Sequence, residues 1–284
     1  MSRLKVALTS LALTLCLFAS GAQIVLGQGT AQPAPASIPA DSHGVSATVV
    51  DSSLPDDAAV RKMLEAYSPR VRALDETIGN LKGDLKKGTV GAGSLGNFVT
   101  DGIRAEASGK LGKPILLAVT NGGGLRRNTI PEGTLKFRDV FELLPFENAL
   151  VAFDLTGDQV LELLRIVVSH RDAQSGARII YKVNPNKQLE LESAKLLISG
   201  VEKEIDPEAV YTVISIDYLL NVTGSDYATV LKKAANTRAL GLTLRDAITD
   251  YVKLEAAAGR DINSTLDGRF VFDKAASGGA EEPK

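Results

Sequence analysis

The sequence Thr120-Asn121-Gly122-Gly123-Gly124-Leu125-Arg126 ends an apolar stretch that starts at residue 115. Three consecutive glycines cost chain entropy, and a strand end tolerates this cost where the backbone needs a conformation or a close approach that other residues deny. Either a tight turn or a bound ligand explains the run. Asn121 and Arg126 flank it with an amide and a guanidinium, which suit a polar, anionic small molecule. The stretch predicts a strand, a turn and a candidate binding site.

Helices are predicted on both sides of this turn by apolar residues at the i, i+3, i+4, i+7 spacing of one helical face. The first covers residues 57–74, and its apolar face comprises Val60, Met63, Leu64, Tyr67, Val71 and Leu74. The starts of three more helices are marked by two capping-box patterns and one small-residue segment, namely Thr156 with Gln159, Thr243 with Asp246, and Gly96.

Strands are predicted between these helices, in short β-branched segments bounded by Gly, Pro, Asn or Asp. They cover residues 115–120, 150–155, 178–183, 189–198 and 210–216. Several of them alternate polar and apolar residues, which indicates one buried face and one more exposed face and favours mixed or antiparallel pairing. The sequence therefore predicts an α+β fold, with mixed sheets layered with helices.

The N-terminus has the order of a secretory signal. Arg3 and Lys5 precede an apolar run at residues 6–19, and small residues follow at 20–22. A membrane anchor is the alternative, but the run is shorter than the ~20 residues that a spanning helix needs. Cys16 lies inside the run after Leu15, which fits lipid attachment poorly. We expect residues 1–27 to be removed from an exported protein, periplasmic or secreted, with no stable membrane span after cleavage.

Composition divides the rest of the chain. Residues 28–54 are rich in Ala, Pro, Ser, Gly and Gln without a sustained period, which predicts a flexible linker. Residues 274–284 resemble this segment and are predicted to be a disordered tail. Residues 55–273 contain no internal repeat or long linker, so a single domain is predicted there.

Composition also excludes several function classes. A net charge of −2 with mixed signs gives no basic stripe for nucleic acid. The mature chain has no cysteine, so disulfides and thiol catalysis are excluded. His43 and His170 are the two histidines, and neither belongs to a clustered metal-ligand motif. We therefore predict no catalytic residue, no metal site and no cofactor in this chain.

Several motifs share the order and spacing of a known family. Between about residues 57 and 272 the chain resembles the C-terminal substrate-binding domain of the 5'-nucleotidases. The most specific elements are the Asn-Gly-Gly-Gly-x-Arg run and a Leu-Pro-Phe element. The matching segments include Ser94-Leu95-Gly96-Asn97, Asn121 to Arg126, Asp139-Val140-Phe141, Leu144-Pro145-Phe146, Asp154 to Gly157, and Gly224-Ser225-Asp226-Tyr227.

The resemblance implies a surface that recognises a nucleotide or nucleoside. It implies that Phe146 and Tyr227 sandwich the base, and that Asn121 and Arg126 hold the nucleoside and its phosphate. The substrate-binding residues carried over by position are Asn121, Gly122, Gly123, Gly124, Arg126, Phe146, Asp226 and Tyr227. From the residues alone, Phe146 after Pro145 is a core candidate. Tyr227 lies in a turn pattern, which predicts an exposed ring.

The chain departs from the family pattern in three respects, one of which is that residues 222–227 read Val-Thr-Gly-Ser-Asp-Tyr where the family has a double glycine before the acidic residue. Residues 91–94 read Gly-Ala-Gly-Ser where the family has an arginine and an acidic residue, so one cationic contact to phosphate is missing. The family also has a preceding two-metal phosphatase domain, and here divalent metals would come only from a partner phosphatase. Two hypotheses remain: a recognition domain that supports nucleotide dephosphorylation with a separate metallophosphatase, or a stand-alone ligand-binding or structural module.

Overall fold

The computed structural model describes residues 51–282. The predicted signal peptide, most of the predicted linker and residues 283–284 lie outside the described residues. Residues 56–282 belong to one compact unit. Within the described part of the chain, no helix combines the length and apolar character needed to cross a membrane.

Eight α-helices occur in the described residues. In chain order they are α1 (Ala58–Glu65), α2 (Ser68–Ala73), α3 (Gly93–Leu111), α4 (Phe137–Leu143), α5 (Gly157–His170), α6 (Asp217–Asn221), α7 (Asp226–Leu231) and α8 (Leu244–Ala257). The predicted capping boxes are confirmed. At α5, Thr156 Oγ1 accepts from the Gln159 N–H, and Gln159 Oε1 accepts from the Thr156 N–H. Thr243 and Asp246 make the same reciprocal pair at α8.

Thirteen strands accompany these helices in residues 51–282. They are β1 (Thr77–Leu81), β2 (Leu85–Lys86), β3 (Leu117–Thr120), β4 (Thr129–Ile130), β5 (Gly133–Lys136), β6 (Ala149–Thr156), β7 (Ala173–Ser175), β8 (Ala177–Val183), β9 (Leu189–Ile198), β10 (Val201–Glu204), β11 (Val210–Ile216), β12 (Thr237–Thr243) and β13 (Phe270–Phe272). All five predicted strands are present. Seven of the strands that were not predicted have only two to five residues, which are too few to establish a period.

Two larger sheets organise the unit. One has the order β12-β6-β11-β3-β7 and the other β10-β9-β8-β13, while β1-β5 and β2-β4 form small pairs. The β11-β3 and β13-β8 pairs are parallel and the other ladders are antiparallel. The α+β prediction with mixed sheets is therefore confirmed.

Helices cover these sheets and position the glycine turn. Helix α5 contacts β9 of one sheet and β6 and β11 of the other, so it packs between them. Helix α3 contacts β3 and β7 and also α8. Buried Phe98 and Phe153 belong to the resulting core. Because β3 lies between β11 and β7, its carboxyl end carries residues 121–126 to one edge of a rigid layer.

The first predicted helix is divided. The sequence predicts one helix over residues 57–74, whereas α1 ends at Glu65 and α2 begins at Ser68. Pro69 has no N–H to donate to the carbonyl four residues earlier, which interrupts the helix at this point. The apolar residues keep their helical spacing across the interruption, so this spacing could not indicate where the helix divides.

The C-terminal segment that composition predicts to be a tail is described as far as residue 282. Ser277 Oγ accepts from the Val183 N–H at 3.0 Å, and the Tyr181 hydroxyl contacts Glu282. Asp273 accepts a hydrogen bond from the Ala276 N–H. Residues 274–282 thus have turns and contacts along β8 that their composition did not indicate, because the partners of Ser277 and Glu282 lie about 100 positions away in the chain.

Candidate binding site

The glycine run forms a single 3-10 turn at Gly122–Gly124 directly after β3. None of these three glycines has a positive φ, so an unusual backbone conformation does not explain them. A Cβ on Gly122 would lie 3.2 Å from Ala92 Cβ, and one on Gly124 would lie 3.1 Å from Asn121 Oδ1. Close approach is therefore the reason for glycine at two of the three positions.

Asn121 and Arg126 present the polar groups of this turn. Asn121 Oδ1 is buried and has no hydrogen-bond donor among residues 51–282. A buried acceptor without a partner costs free energy, and a ligand N–H or O–H relieves that cost only once the side chain turns toward the surface. Arg126 is exposed, and within the described residues its guanidinium donates one long hydrogen bond, from Nη1 to the Gly123 carbonyl at 3.4 Å. Both side chains therefore have free hydrogen-bonding capacity.

Phe146 lies next to Arg126. Its ring is 46% exposed, which excludes the core alternative. The Arg126 Cζ atom is 5.9 Å from the ring centroid, at the outer limit of a cation–π contact. An exposed aromatic face and a guanidinium thus border the same space.

The loop that carries Phe146 is fixed by Arg245 of α8. Arg245 Nε donates to the Leu144 carbonyl at 3.0 Å, and Nη2 donates to the Pro145 carbonyl at 3.3 Å. The guanidinium also lies 4.6 Å from the Phe141 ring centroid. Sequence reasoning did not assign Arg245 a role, since only the fold brings residue 245 to residues 144–146.

Tyr227 differs from the prediction. The turn pattern predicts an exposed ring, but the ring is only 3% exposed. The turn ends earlier, because Ser225 is the N-cap of α7 and its Oγ accepts from the Ala228 N–H. Tyr227 is therefore a helical residue whose side chain points inward, and in this conformation it offers no face to a base.

Asp172 connects Tyr227 with the glycine turn. Its Oδ2 accepts from the Tyr227 hydroxyl at 2.8 Å, and its Oδ1 accepts from the Gly122 N–H at 2.7 Å. Burial raises the pKa of Asp172, while these two hydrogen bonds and His170 act in the opposite direction. Burial and the neighbouring Asp172 also raise the pKa of Tyr227. No spacing in the sequence indicated Asp172.

Asp226 and His170 lie on the outer side of Tyr227. The Asp226 side chain is exposed, and its Oδ2 is 3.5 Å from His170 Nε2. The His170 ring meets the Tyr227 ring edge-on at a centroid distance of 5.6 Å. Asp226 therefore lies at the protein surface and contacts His170, and it makes no hydrogen bond to Asn121 or Arg126.

The model of the 5'-nucleotidase C-terminal domain family matches residues 74–233. The chain belongs to this family. The match covers more than half of the chain and includes every residue of the candidate site except Arg245.

Solved and curated relatives agree with this assignment. The 5'-nucleotidase precursor from Thermus thermophilus has a TM-score of 0.63 and 29% identity over 78% of this chain and 44% of that chain. Protein UshA of Escherichia coli is 29% identical over 54% of this chain and 26% of its own length. The trifunctional nucleotide phosphoesterase protein YfkN of Bacillus subtilis is 29% identical over 62% of this chain and 12% of its own length. The chain spans less than half the length of each of these relatives.

The segment that lacks the family arginine packs beneath the turn. The Gly91 N–H donates to the Arg171 carbonyl, and Ala92 lies against Gly122. A different cation is present nearby, because Lys87 Nζ donates to the Leu125 carbonyl at 2.8 Å. Lys87 was not identified from the sequence, since it lies outside the family motif.

Residues 51–282 contain no group of three or more His, Cys, Asp or Glu side chains that could hold a metal ion. The described residues of this family member therefore do not fit the two-metal centre of a complete 5'-nucleotidase. What Asn121, Arg126 and Phe146 can do chemically is bind: accept a hydrogen bond, attract an anion and stack on an aromatic ring.

Proposed function

We propose that this chain is an exported recognition domain for a nucleotide or nucleoside, and that it supports nucleotide dephosphorylation together with a separate metallophosphatase. The observation that carries the proposal is the buried, unpaired Oδ1 of Asn121 beside the exposed Arg126 and Phe146. A hydrogen-bond acceptor, an anion-binding group and a stacking surface are the three groups that a nucleotide requires.

In this proposal the base stacks on the exposed face of Phe146, which contributes ~1–3 kcal/mol. Asn121 turns its buried Oδ1 toward the ligand and accepts a hydrogen bond from the base or the sugar. Arg126 binds the phosphate, and Lys87 adds positive charge near it. Of the three glycines, Gly123 is exposed and lets the ligand approach the backbone, while Gly122 packs against Ala92 and Gly124 against Asn121. Since Tyr227 is buried in the present conformation, the base is held on one face unless Tyr227 rotates outward.

The division of labour follows from the side chains that are available. Phosphate ester hydrolysis by this family's mechanism uses metal ions to polarise phosphate and activate water. In this proposal the described residues supply recognition groups, and they contain no group of three or more His, Cys, Asp or Glu side chains that could hold a metal ion. A partner that carries the metals would have to reach the phosphate beside Arg126, so its interface must border Asn121 and Arg126.

Calorimetric titration of the purified protein with AMP and with adenosine tests recognition, with and without Mn²⁺. We expect Phe146→Ala and Arg126→Ala to weaken AMP binding at least fivefold, and Arg126→Ala to leave adenosine binding nearly unchanged. Leu254→Ala and Arg138→Ala serve as matched controls, because Leu254 is an exposed apolar residue on α8 and the half-buried Arg138 is paired with Asp75.

Phosphate release is measured on the same samples. Binding without release, followed by release when a metallophosphatase from the same source is added, supports the proposal. Absence of binding to both ligands would favour the structural-module alternative. Metal-dependent release by the pure chain would contradict the division of labour. Mass spectrometry of the exported protein tests the predicted removal of residues 1–27.

A further inference from the structure

The second half of helix α3 borders a surface cavity of about 500 Å³ that is separate from the candidate site. Its walls combine basic, hydroxyl and apolar side chains, namely Arg104, Lys113, Ser108, Ala105, Pro114 and Ile115. The glycine turn is near the other end of this helix, because Ala92, directly before α3, lies against Gly122. From Gly93 to Arg104 the helix rises roughly 16 Å.

Arg104 is half-buried on this wall, and its guanidinium has no hydrogen bond or ion pair to any residue in the described part of the chain. Burial lowers the pKa of Arg104, because a guanidinium that leaves water without a partner is disfavoured in its charged form. Arginine nevertheless stays protonated in proteins, so losing the proton does not avoid this cost. An anion in the cavity would relieve it.

The acidic residue on the same wall, Asp101, is already bound to another arginine. Its two oxygens accept from Nη1 and Nη2 of Arg269, at 3.1 and 2.9 Å. Arg269 is shared with Asp267, which forms a second ion pair with it. Together with Arg104 and Lys113, these groups comprise three basic and two acidic side chains. The cavity and the cluster behind it therefore have one net positive charge.

Lys113 is a second cation on the wall, and it is held in place by the neighbouring sheet. Its Nζ donates to Thr212 Oγ1 at 2.8 Å, and Thr212 Oγ1 donates in turn to Asp154 Oδ1. The charge of Asp154 is balanced by Arg238, whose Nη1 is 3.0 Å from Asp154 Oδ2. Among residues 51–282 the ammonium uses one of its three protons, so two remain for an anion.

The helix dipole alone does not explain these cations. The carboxyl end of a helix attracts basic side chains without any ligand, but this effect is confined to the last turn. Lys110 lies in the last turn of α3 and is accounted for in this way. Arg104 lies seven residues before the helix ends at Leu111, about two turns earlier. Its half-buried position on the cavity wall thus calls for a different partner.

We propose that this cavity binds the carboxylate of a small organic acid, with the Arg104 guanidinium as its main partner. The planar fork of arginine matches the two oxygens of a carboxylate. One net positive charge suits a monoanion, to which Lys113 adds a second contact. Ala105, Pro114 and Ile115 offer contacts to a short hydrocarbon chain, which inorganic phosphate lacks. This site is independent of the proposed recognition of nucleotides.

Butyrate is the probe for this proposal, titrated into the purified, isotope-labelled protein and followed by NMR chemical shifts. We expect saturable shifts centred on the amides of Ala105 and Ile115, with a dissociation constant on the order of 1 mM. Butyramide, which keeps the shape without the charge, should bind at least fivefold more weakly, and so should inorganic phosphate. Absence of saturable shifts, or equal binding of butyramide, overturns the proposal. Equal or tighter binding of phosphate rejects the organic acid.

Two cavity variants and one control assign the binding groups. Arg104→Gln should weaken butyrate binding at least fivefold, and Lys113→Gln about twofold. Lys110→Gln should bind as the unchanged protein does, because Lys110 is exposed in the last turn of the same helix and does not line the cavity. Equal losses in Lys110→Gln and Arg104→Gln would indicate general attraction of anions and reject the site.

Stability separates a ligand-binding arginine from a structural one. Arg104→Gln removes a half-buried charge that has no partner in residues 51–282, so it should unfold at the same urea concentration as the unchanged protein or a higher one. A marked loss of stability with unchanged butyrate affinity would give Arg104 a structural role and overturn the proposal.

Competition with AMP distinguishes this cavity from the candidate nucleotide site. Saturating AMP should leave butyrate affinity unchanged, and Arg104→Gln should bind AMP as the unchanged protein does. These results can hold or fail separately from nucleotide recognition, since butyrate binding is measured without AMP. Displacement of butyrate by AMP would place both ligands at one site and reject a separate carboxylate site beside α3.

Discussion

The two aromatic residues that the family resemblance assigns to one base are in opposite environments. Phe146 is 46% exposed beside Arg126, and Tyr227 is 3% exposed with its hydroxyl bound to Asp172. The exposed half of the candidate site has free binding groups. The buried half has satisfied hydrogen bonds and connects α7 to the glycine turn. A motif thus locates a residue in the chain, but neighbouring residues decide whether its side chain is available.

The difference predicts that substitutions in the buried half change stability, while those in the exposed half change binding. The largest effect is expected for Asp172→Ala. This change leaves the Gly122 N–H and the Tyr227 hydroxyl without acceptors in a buried site, at roughly 1–3 kcal/mol for each group. We expect the free energy of unfolding to fall by about 3 kcal/mol, measured by urea denaturation.

Asp226→Ala is the control for that experiment, because Asp226 is exposed and adjacent to the same tyrosine. Surface substitutions usually change stability by no more than about 0.5 kcal/mol. If Asp172→Ala were as mild as Asp226→Ala, the buried connection between Tyr227 and the glycine turn would be without energetic importance, and the contrast between the two halves would fail.

Tyr227→Phe is expected to have the next largest effect. The ring and its packing are kept, and only the hydrogen bond to Asp172 is lost. Hydrogen bonds to charged groups contribute roughly 1.5–3 kcal/mol, so we expect a loss of about 2 kcal/mol in unfolding free energy. AMP affinity should change less than twofold. A Tyr227→Phe protein with normal stability and much weaker AMP binding would show that Tyr227 acts on the ligand.

Arg245→Lys tests whether Arg245 holds the Phe146 loop of the exposed half in place. Lysine keeps the charge but cannot reproduce the planar fork that binds the carbonyls of Leu144 and Pro145. We expect a loss of about 1 kcal/mol in stability and a twofold to fivefold loss in AMP affinity by calorimetry, because the Phe146 loop becomes mobile. Arg260→Lys is the control, since Arg260 is exposed and, among residues 51–282, pairs with Glu255 alone. Equal effects of the two changes would show that Arg245 does not position the Phe146 loop for binding.

Much of the fold could be predicted because its signals are local. Capping boxes at Thr156 and Thr243 and alternation in residues 210–216 depend on residues close in sequence. The interruption near Pro69 leaves the apolar period intact, so it was missed. The two-residue strands β2 and β4 are defined by pairing with each other, which no single segment encodes.

The candidate site was predictable only in part, for a similar reason. Asn121 and Arg126 are contiguous with the glycine run, and the resemblance adds Phe146. Asp172 and Arg245 act through contacts with residues 50 and about 100 positions away. Those contacts exist only once β3, α5 and α8 are packed together. The burial of Tyr227 likewise depends on Asp172, so its inward orientation could not be read from a turn pattern.

The smallest expected effect is a pH dependence of the buried half. Because burial raises the pKa of Asp172, the folded protein holds this proton at pH values where the unfolded chain has released it. The contribution of Asp172 to stability is therefore greatest below the ordinary aspartate pKa of about 3.9, and it is lost as pH rises through the raised value. Asp172→Asn removes this titration and keeps the shape. As pH falls from about 7 to about 4, the unchanged protein should gain stability relative to Asp172→Asn, measured as the difference between their free energies of unfolding.

The control for this pH series is Asp226→Asn. His170 faces Asp172 and also neighbours Asp226, so Asp226→Asn is measured in parallel to separate the trend at Asp172 from effects around His170. A difference between the unchanged protein and Asp172→Asn that is flat with pH, or that shifts the opposite way, would mean that hydrogen bonds from Gly122 and Tyr227 outweigh burial at Asp172.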